Sequence, residues 1–475
     1  MFLKKLLSHS LIYALGPQIP KIASLFVLPI ITRYLTAADY GIYGVILSYT
    51  SLLGAFSDLG FSVVMVNAYY NYPSRWRIIW RQLHFYLIVW SVIYAILLAL
   101  LLILVMPEQV GDNKLNIIGL VCLPAMFFSA VPMIGGRYYQ FAQKPMYVAG
   151  VSAIIGAIAI ILNLYTIAYL KMGYMGWFVS NAISAVLIFL CYAYPVFIKY
   201  KLHPVFIFRK SFLIKNLKVS LPIIPHSYSS YLLNASDRLI MDRVRIKVNL
   251  IGEYNLAYTF GGYFEFFGNA LGMAVGPFYT KLYSQKSVDS DRSVHFITHW
   301  LQISFIGVGF IASLWCKELL ELLVKNDELK MVYPFAIIII MGYSYRPYYW
   351  SAVNRLQYVE KTNQLWRISL LAGLLNLVLN LIFIPIFGIM AACVTTFLSL
   401  MYLGFSGYFL KAFKANETMK YKPLLWGSII ILTTVLVYYL KDIPVYLKLI
   451  MSALSALFYS LYIVKNKNRF LEIKV

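Results

Sequence analysis

The chain has 475 residues, of which 61% are hydrophobic and only 12% charged, with a mean hydropathy of +0.73. Soluble domains carry about 25% charge, so soluble, disordered, collagen-like and disulfide-scaffold classes are excluded. The net charge of +23 does not point to nucleic acid, because the basic residues fall in short gaps between long apolar runs, as in a polytopic membrane protein.

A bilayer core needs about 20 apolar residues per helix. Apolar runs between charged or Gly/Pro breaks predict fourteen spans, near 10–33, 41–64, 83–106, 115–136, 147–170, 173–198, 218–241, 250–279, 294–315, 331–352, 364–384, 388–410, 424–440 and 445–464. Twelve is the alternative count, since the first and seventh hold prolines and charges and the eighth is Gly-rich. The expected fold class is therefore an all-α polytopic membrane protein. The first run follows Lys4 and Lys5 and continues past Tyr34 without a small-residue cleavage site, which predicts a retained helix rather than a signal peptide. Cys122, Cys191, Cys316 and Cys393 sit apart inside apolar segments without C-x-x-C spacing, as small buried hydrophobes do. The longest loop spans about 20 residues, and no P-loop, Gly-rich nucleotide motif or paired metal ligands occur. No cofactor, metal or catalytic residue is expected, and the chain reads as a non-enzyme.

Lys and Arg distribute unequally over alternate loops, 26 on one side and 11 on the other, with Lys21, Arg238, Arg346 and Arg367 in or at the edge of spans. That bias places both termini in the cytoplasm. Arg243-Val-Arg-Ile-Lys247 is a local exception on the sparse side.

Two motifs recur. Gly16-Pro-Gln-Ile-Pro-Lys21 matches Leu221-Pro-Ile-Ile-Pro-His226, and Tyr40-Gly-Ile-Tyr43 matches Ile251-Gly-Glu-Tyr254, at offsets of 205 and 211 residues. Six spans separate the copies, an even number, so both halves enter the membrane in the same direction as a parallel repeat. The expected organisation is a six-helix bundle over 1–198, a basic cytoplasmic linker at 199–217 and a second bundle over 218–410. Two further helices and a basic tail would occupy 411–475.

Arg33-Tyr-Leu-Thr-Ala-Ala-Asp-Tyr-Gly-Ile-Tyr43, the run Ser48 to Leu53 and Asp58-Leu-Gly-Phe-Ser62 resemble the N-terminal hallmark of bacterial polysaccharide-unit flippases. These are the O-antigen (Wzx-like) transporters of the multidrug/oligosaccharidyl-lipid/polysaccharide superfamily. Asn234-Ala-Ser-Asp-Arg238 and Gly252-Glu-Tyr254 are similar to that family's second-half motifs. The resemblance implies two six-helix bundles, alternately open to the two sides of the inner membrane. It also implies an undecaprenyl-diphosphate-linked oligosaccharide as cargo, with membrane lipids, a polysaccharide polymerase and chain-length proteins as partners and no nucleic acid.

Ionised side chains deep in a bilayer cost about 2.5–3.5 kcal/mol each on insertion scales, so each one present needs a wet cavity or a partner. Lys21 follows a proline break, as at a midplane anion site, or else snorkels. Arg346, in Gly342-Tyr-Ser-Tyr-Arg-Pro-Tyr-Tyr-Trp350, suits a phosphate held by a bidentate fork, with Tyr345, Tyr348, Tyr349 and Trp350 against sugar or lipid. Its alternative is a structural pair with Glu265 or Asp58. Asp237 and Arg238 point about 100° apart on a helix, so one would line a cavity and the other latch a neighbour. Asp58 would cap or latch the end of the second span. Glu265 is either a proton or cation carrier or a partner for Arg346 or Arg238. His226 replaces the lysine in the second repeat and would titrate near neutrality or simply pack.

A lipid-linked glycan flippase is the leading function. A lipid II-type precursor flippase and a small-molecule efflux antiporter are alternatives from the same superfamily. A membrane polymerase or ligase would need large outer loops, which the sequence does not have.

Overall fold

The computed structural model describes residues 19–415 and 419–467, the side chains of 19–22, 223, 226, 227, 274 and 362 excepted; among the described residues every regular element is helical. By contacts the chain divides into two compact units, 1–252 and 253–475.

The first unit contains α1 (Ile19–Ile31), α2 (Ala37–Gly54), α3 (Phe61–Asn71), α4 (Trp76–Val105), α5 (Lys114–Phe128), α6 (Ala130–Phe141), α7 (Pro145–Asn163), α8 (Met175–Ala193), α9 (Lys210–Ser220), α10 (Ile224–Asn234) and α11 (Ser236–Arg243). α12 (Val248–Ser284) begins there and continues into the second unit. Beyond it lie α13 (Val288–Leu314), α14 (Cys316–Leu323), α15 (Tyr333–Gly342), α16 (Arg346–Tyr358), α17 (Leu365–Phe405), α18 (Pro423–Leu440) and α19 (Val445–Lys465).

Among the described residues seven helices are each long and apolar enough to cross a membrane, or eight if the bent pair 108–128 and 130–141 forms one span. Fewer helices pass than the fourteen spans read from sequence, because several spans are broken into short pieces or merged. α10 and α11 divide one span at Ala235, and Tyr343–Tyr345 forms a 3-10 turn between α15 and α16. Conversely, α17 merges two spans across Gly388, whose φ of 62° and ψ of −144° reverse the chain in a conformation only glycine adopts easily. Its two limbs are joined by buried amides and hydroxyls. Asn380 donates to Asn376 at 2.9 Å, Asn376 donates to Thr396 at 3.3 Å, and Thr395 donates to Asn380, the polar glue expected where no hydrophobic force drives helices together.

The signature-like segment at 33–43 is structural. Thr36 and Asp39 form a capping box, with Asp39 Oδ2 accepting from the Thr36 amide at 2.7 Å. Asp39 Oδ1 accepts from the Tyr174 amide at 2.9 Å, which fastens the turn before α8 to the start of α2.

The two copies of the Gly-Ile/Glu-Tyr motif meet. A Cβ on Gly41 would lie 2.0 Å from the Val248 carbonyl oxygen, and one on Gly252 would lie 1.8 Å from that of Ala37. Ser48 donates to the Ala235 carbonyl at 2.5 Å and Tyr49 to Asp242 at 2.7 Å. These bonds hold 224–252 within the first unit. Arg243 also lies 5.5 Å over the Tyr49 ring, so part of the basic loop 243–247 is folded onto α2.

Candidate functional site

Pro347 cannot donate a backbone hydrogen bond, and the helix ladder fails just before it. The buried Ser344 carbonyl is satisfied instead by Gln302 of α13, whose Nε2 donates at 2.8 Å. This break sets Arg346 as the first residue of α16, with its side chain only 7% exposed.

The guanidinium is held by α12. Nη2 lies 3.0 Å from Glu265 Oε1, and Nη1 donates to Asn269 Oδ1 at 2.6 Å. Glu265 and Asn269 are one turn apart and share a helix face. The Tyr343 hydroxyl lies 3.3 Å from Glu265 Oε2, to which it can donate, and 3.4 Å from the Tyr258 hydroxyl. The rings of Tyr343 and Tyr345 stand 5.3 and 5.7 Å from the guanidinium carbon, within cation–π range. Close approach of the two helices depends on Gly268 and Gly272. A Cβ at Gly268 would fall 2.4 Å from Arg346 Cδ, and one at Gly272 2.5 Å from Trp350 Nε1.

Arg346 Nε is buried and has no hydrogen-bond partner among the described residues. Glu265 is 29% exposed and Asn269 is exposed. The cluster is thus a charge-neutral pair with one unfilled donor on the cation and an accessible carboxylate. Such an arrangement suits an incoming anion that competes with the carboxylate for the guanidinium.

Of the other residues expected here, Tyr345 flanks the guanidinium with Tyr349 5.9 Å from it, while Trp350 packs one turn on, 5.3 Å from Phe305 and against Gly272. Tyr348 points elsewhere. It is fully buried among Phe405, Tyr408, Tyr421 and Trp426, with its hydroxyl 3.1 Å from His299 Nε2. Asp237 and Arg238 of the first unit bond to each other at 3.1 Å, and Arg238 also donates to the Asn234 carbonyl at 2.8 Å. Both are buried where α10 gives way to α11, a latch across that break. Asp58 accepts from the Gly60 amide at 2.9 Å and shapes the turn before α3. Lys21 lies in α1 and His226 in α10, and their side chains fall outside the described residues.

Asn269, Tyr258 and Tyr343 were not among the residues singled out from sequence. The spacing carried a signal, since 258, 265 and 269 fall on one helical face seven and four residues apart. Gln302 had none, because its role exists only once Pro347 has broken a neighbouring helix.

A family described as "Polysaccharide biosynthesis protein" matches residues 6–283, and the MatE family matches residues 222–382. Among solved structures, the chain is similar to the lipid II flippase MurJ in its inward closed conformation, with a TM-score of 0.67 at 13% identity over 96% of this chain and 99% of that one. It is also similar to the eukaryotic MATE transporter AtDTX14, with a TM-score of 0.53 at 14% identity over 92% and 99% of the two chains. The bent form of the Vibrio cholerae MATE transporter VcmN matches with a TM-score of 0.52 at 14% identity over 90% and 99%. At these identities the likeness establishes a shared fold. No curated protein matches the chain.

Proposed function

The chain belongs to the polysaccharide biosynthesis protein family, and we propose that it is a flippase for an undecaprenyl-diphosphate-linked oligosaccharide. It carries an O-antigen-type or related repeat unit from the cytoplasmic to the periplasmic leaflet of the inner membrane by alternating access, with both termini in the cytoplasm. The observation that carries this reading is Arg346, a buried guanidinium at a helix break with an orphaned Nε and an exchangeable carboxylate partner. A diphosphate fits it, because a planar fork matches phosphate oxygens two at a time. Lys21 of the first repeat is the second cation we assign to the head group. Of the neighbouring aromatics, the half-buried Tyr349 is the ring we assign to the sugars, with Tyr345 and Trp350 buried beside it.

The test is complementation of a deletion strain, with surface glycan as the readout and membrane protein level as the control. Arg346→Ala and Lys21→Ala should each weaken head-group binding by about 1.5–3 kcal/mol, the worth of a charge-assisted hydrogen bond. Lys21→Arg should keep much of the activity, whereas Arg346→Lys should lose more because the fork is gone. Full glycan from both alanine variants at normal expression would refute the assignment. Restoration of a peptidoglycan precursor flippase defect, rather than of surface glycan, would redirect the cargo to lipid II.

The MatE match over 222–382 favours a second reading, export of small organic cations. The deep cluster disfavours it, because the one carboxylate there is already matched by a guanidinium.

A further inference from the structure

The linker between the two repeats is not a loose tether. From Leu202 to Arg209 it runs along α4 and is pinned at both ends. Leu202 donates its amide to the Val196 carbonyl at 2.7 Å, while its own carbonyl oxygen is 2.8 Å from His84 Nδ1. Arg81 Nε donates to the His203 carbonyl at 3.1 Å, and the Val205 amide donates to that of Arg81 at 3.1 Å. Further on, the Tyr86 hydroxyl donates to the Arg209 carbonyl at 3.0 Å and accepts from the Arg209 amide at 2.8 Å. Between these pins Phe206, Ile207 and Phe208 are held outward, 73%, 48% and 65% exposed. Three consecutive apolar side chains fixed in water would be costly, and a rigid backbone cannot fold them away.

The depth of this strap follows from α4. That helix has 30 residues, about 45 Å at 1.5 Å per residue, against a hydrocarbon core of about 30 Å. Its apolar end is at Val105, so the hydrocarbon boundary falls near residue 85 or 86. Phe206 meets the ring of Phe85 at 5.6 Å, and Phe208 meets that of Tyr86 at 6.0 Å. The strap therefore crosses α4 at the level where acyl chains meet head groups.

α9 continues the pattern. Phe212, Leu213 and Leu217 pack on the first unit's core. Lys210, Lys215 and Lys218 stand exposed on the opposite side with Ile214 and Val219 between them. A shallow groove of about 530 Å³ is lined by Ile214, Leu217, Lys218, Leu221 and Pro222. No Asp or Glu occurs between Asp112 and Asp237, and among the described residues no acid pairs with Arg209, Lys210, Lys215 or Lys218. Four cations beside an embedded apolar tip, with no internal counter-charge, complement an anionic lipid surface.

We infer that the strap Leu202–Arg209 and helix α9 form a binding site for anionic phospholipids of the surrounding bilayer. Phe206, Ile207 and Phe208 enter the acyl boundary, and Arg209, Lys210, Lys215 and Lys218 hold the head-group phosphates. The occupant is bulk lipid and not the transported diphosphate, because Arg346, assigned to the cargo, lies in the second unit and this apolar tip is as exposed as the apolar side chains of α19.

The test uses the full chain in vesicles that contain either phosphatidylglycerol or phosphatidylcholine carrying a photoreactive diazirine near the glycerol. Adducts are then mapped by peptide mass spectrometry. Phosphatidylglycerol should label 206–221 about tenfold more than phosphatidylcholine, as expected for several basic residues at an anionic surface. The combined variant Arg209→Gln, Lys210→Gln, Lys215→Gln and Lys218→Gln should bring that ratio to about one, because the head-group attraction is removed. Labelling of α19 should stay unchanged in that variant and so report an intact fold. Equal labelling by both lipids in the unaltered protein, or selectivity that survives the combined variant, would overturn the inference. Displacement of the phosphatidylglycerol adducts by stoichiometric undecaprenyl diphosphate would do the same, since the site would then belong to the cargo.

Discussion

Gly41 and Gly252 occupy equivalent places in two matching sequence motifs and exchange equivalent contacts. Gly41 abuts the carbonyl of Val248, and Gly252 abuts that of Ala37. Both pairs, 37 with 248 and 41 with 252, are separated by the 211 residues that relate the two sequence motifs. The contact is reciprocal, since each glycine meets the carbonyl four residues before the other. It supplies a structural reason for the motif, because only a residue without a Cβ lets the two backbones approach so closely.

Gly41→Ala and Gly252→Ala should therefore each destabilise the protein by at least about 1–3 kcal/mol, since the added methyl meets a backbone oxygen and not a side chain that can turn away. The double variant should cost clearly less than the sum, because one widening of the crossing relieves both clashes. Thermal unfolding of the purified variants measures this, and strict additivity would count against a shared crossing.

The Arg346–Glu265 pair makes a second prediction. Removing Glu265 should cost about 3–5 kcal/mol by leaving the buried Arg346 charge uncompensated, and removing Arg346 should cost less, because Glu265 is 29% exposed. The double variant Arg346→Met with Glu265→Gln should recover about 0.5–3 kcal/mol of that sum. A coupling near zero in the double-mutant cycle would show that the ion pair contributes nothing to the folded state.

Asp442 lies between α18 and α19, outside the spans. Partial burial pushes its carboxyl up, but hydrogen bonds from Tyr333 and Lys317 and the charges of Lys317 and Lys441 outweigh burial and hold it below the ordinary carboxylate value. A carboxyl depressed by folding stabilises the protein above its unfolded pKa of about 3.9, and the contribution is lost as pH falls through the folded value. The side chain is 48% exposed, so the contribution at pH 7 stays below about 1 kcal/mol. Asp442→Asn should melt slightly below the parent at pH 7, and the gap should close well below pH 4. A gap that widened on acidification would reverse the assigned sign.

Transport energetics give the fourth prediction. A diphosphate head group carries about two negative charges, and the cell interior is negative. Outward movement is favoured by about 2.3 kcal/mol per charge for each 100 mV, so the cations need only hold the anion and no ATP is required. Collapsing the potential in reconstituted vesicles should slow flipping. An unchanged rate would shift the drive to ion exchange, with Glu265, the partly exposed member of its pair, as the carrier.

Composition alone decided that this is a helical membrane protein, because hydropathy is a sum over residues and survives ignorance of their partners. The recurrence of the Tyr40–Tyr43 motif at Ile251–Tyr254 is equally legible, since matching motifs can be read whatever the packing. What the sequence could not reveal was pairing. Arg346 read as either a cavity cation or a partner for Glu265 or Asp58, and it took the break at Pro347 and the close approach at Gly268 and Gly272 to set it against Glu265 and Asn269. Tyr348 reads like its neighbours Tyr345 and Tyr349, yet the turn of α16 carries it into a sealed aromatic cluster. The linker 199–217 read as a basic connection, and only its hydrogen bonds to Arg81, His84 and Tyr86 turned it into a fixed strap. Charge and hydrophobicity belong to single residues and can be counted along the chain. Partners belong to positions in space, and only the tertiary structure decides which residues share one.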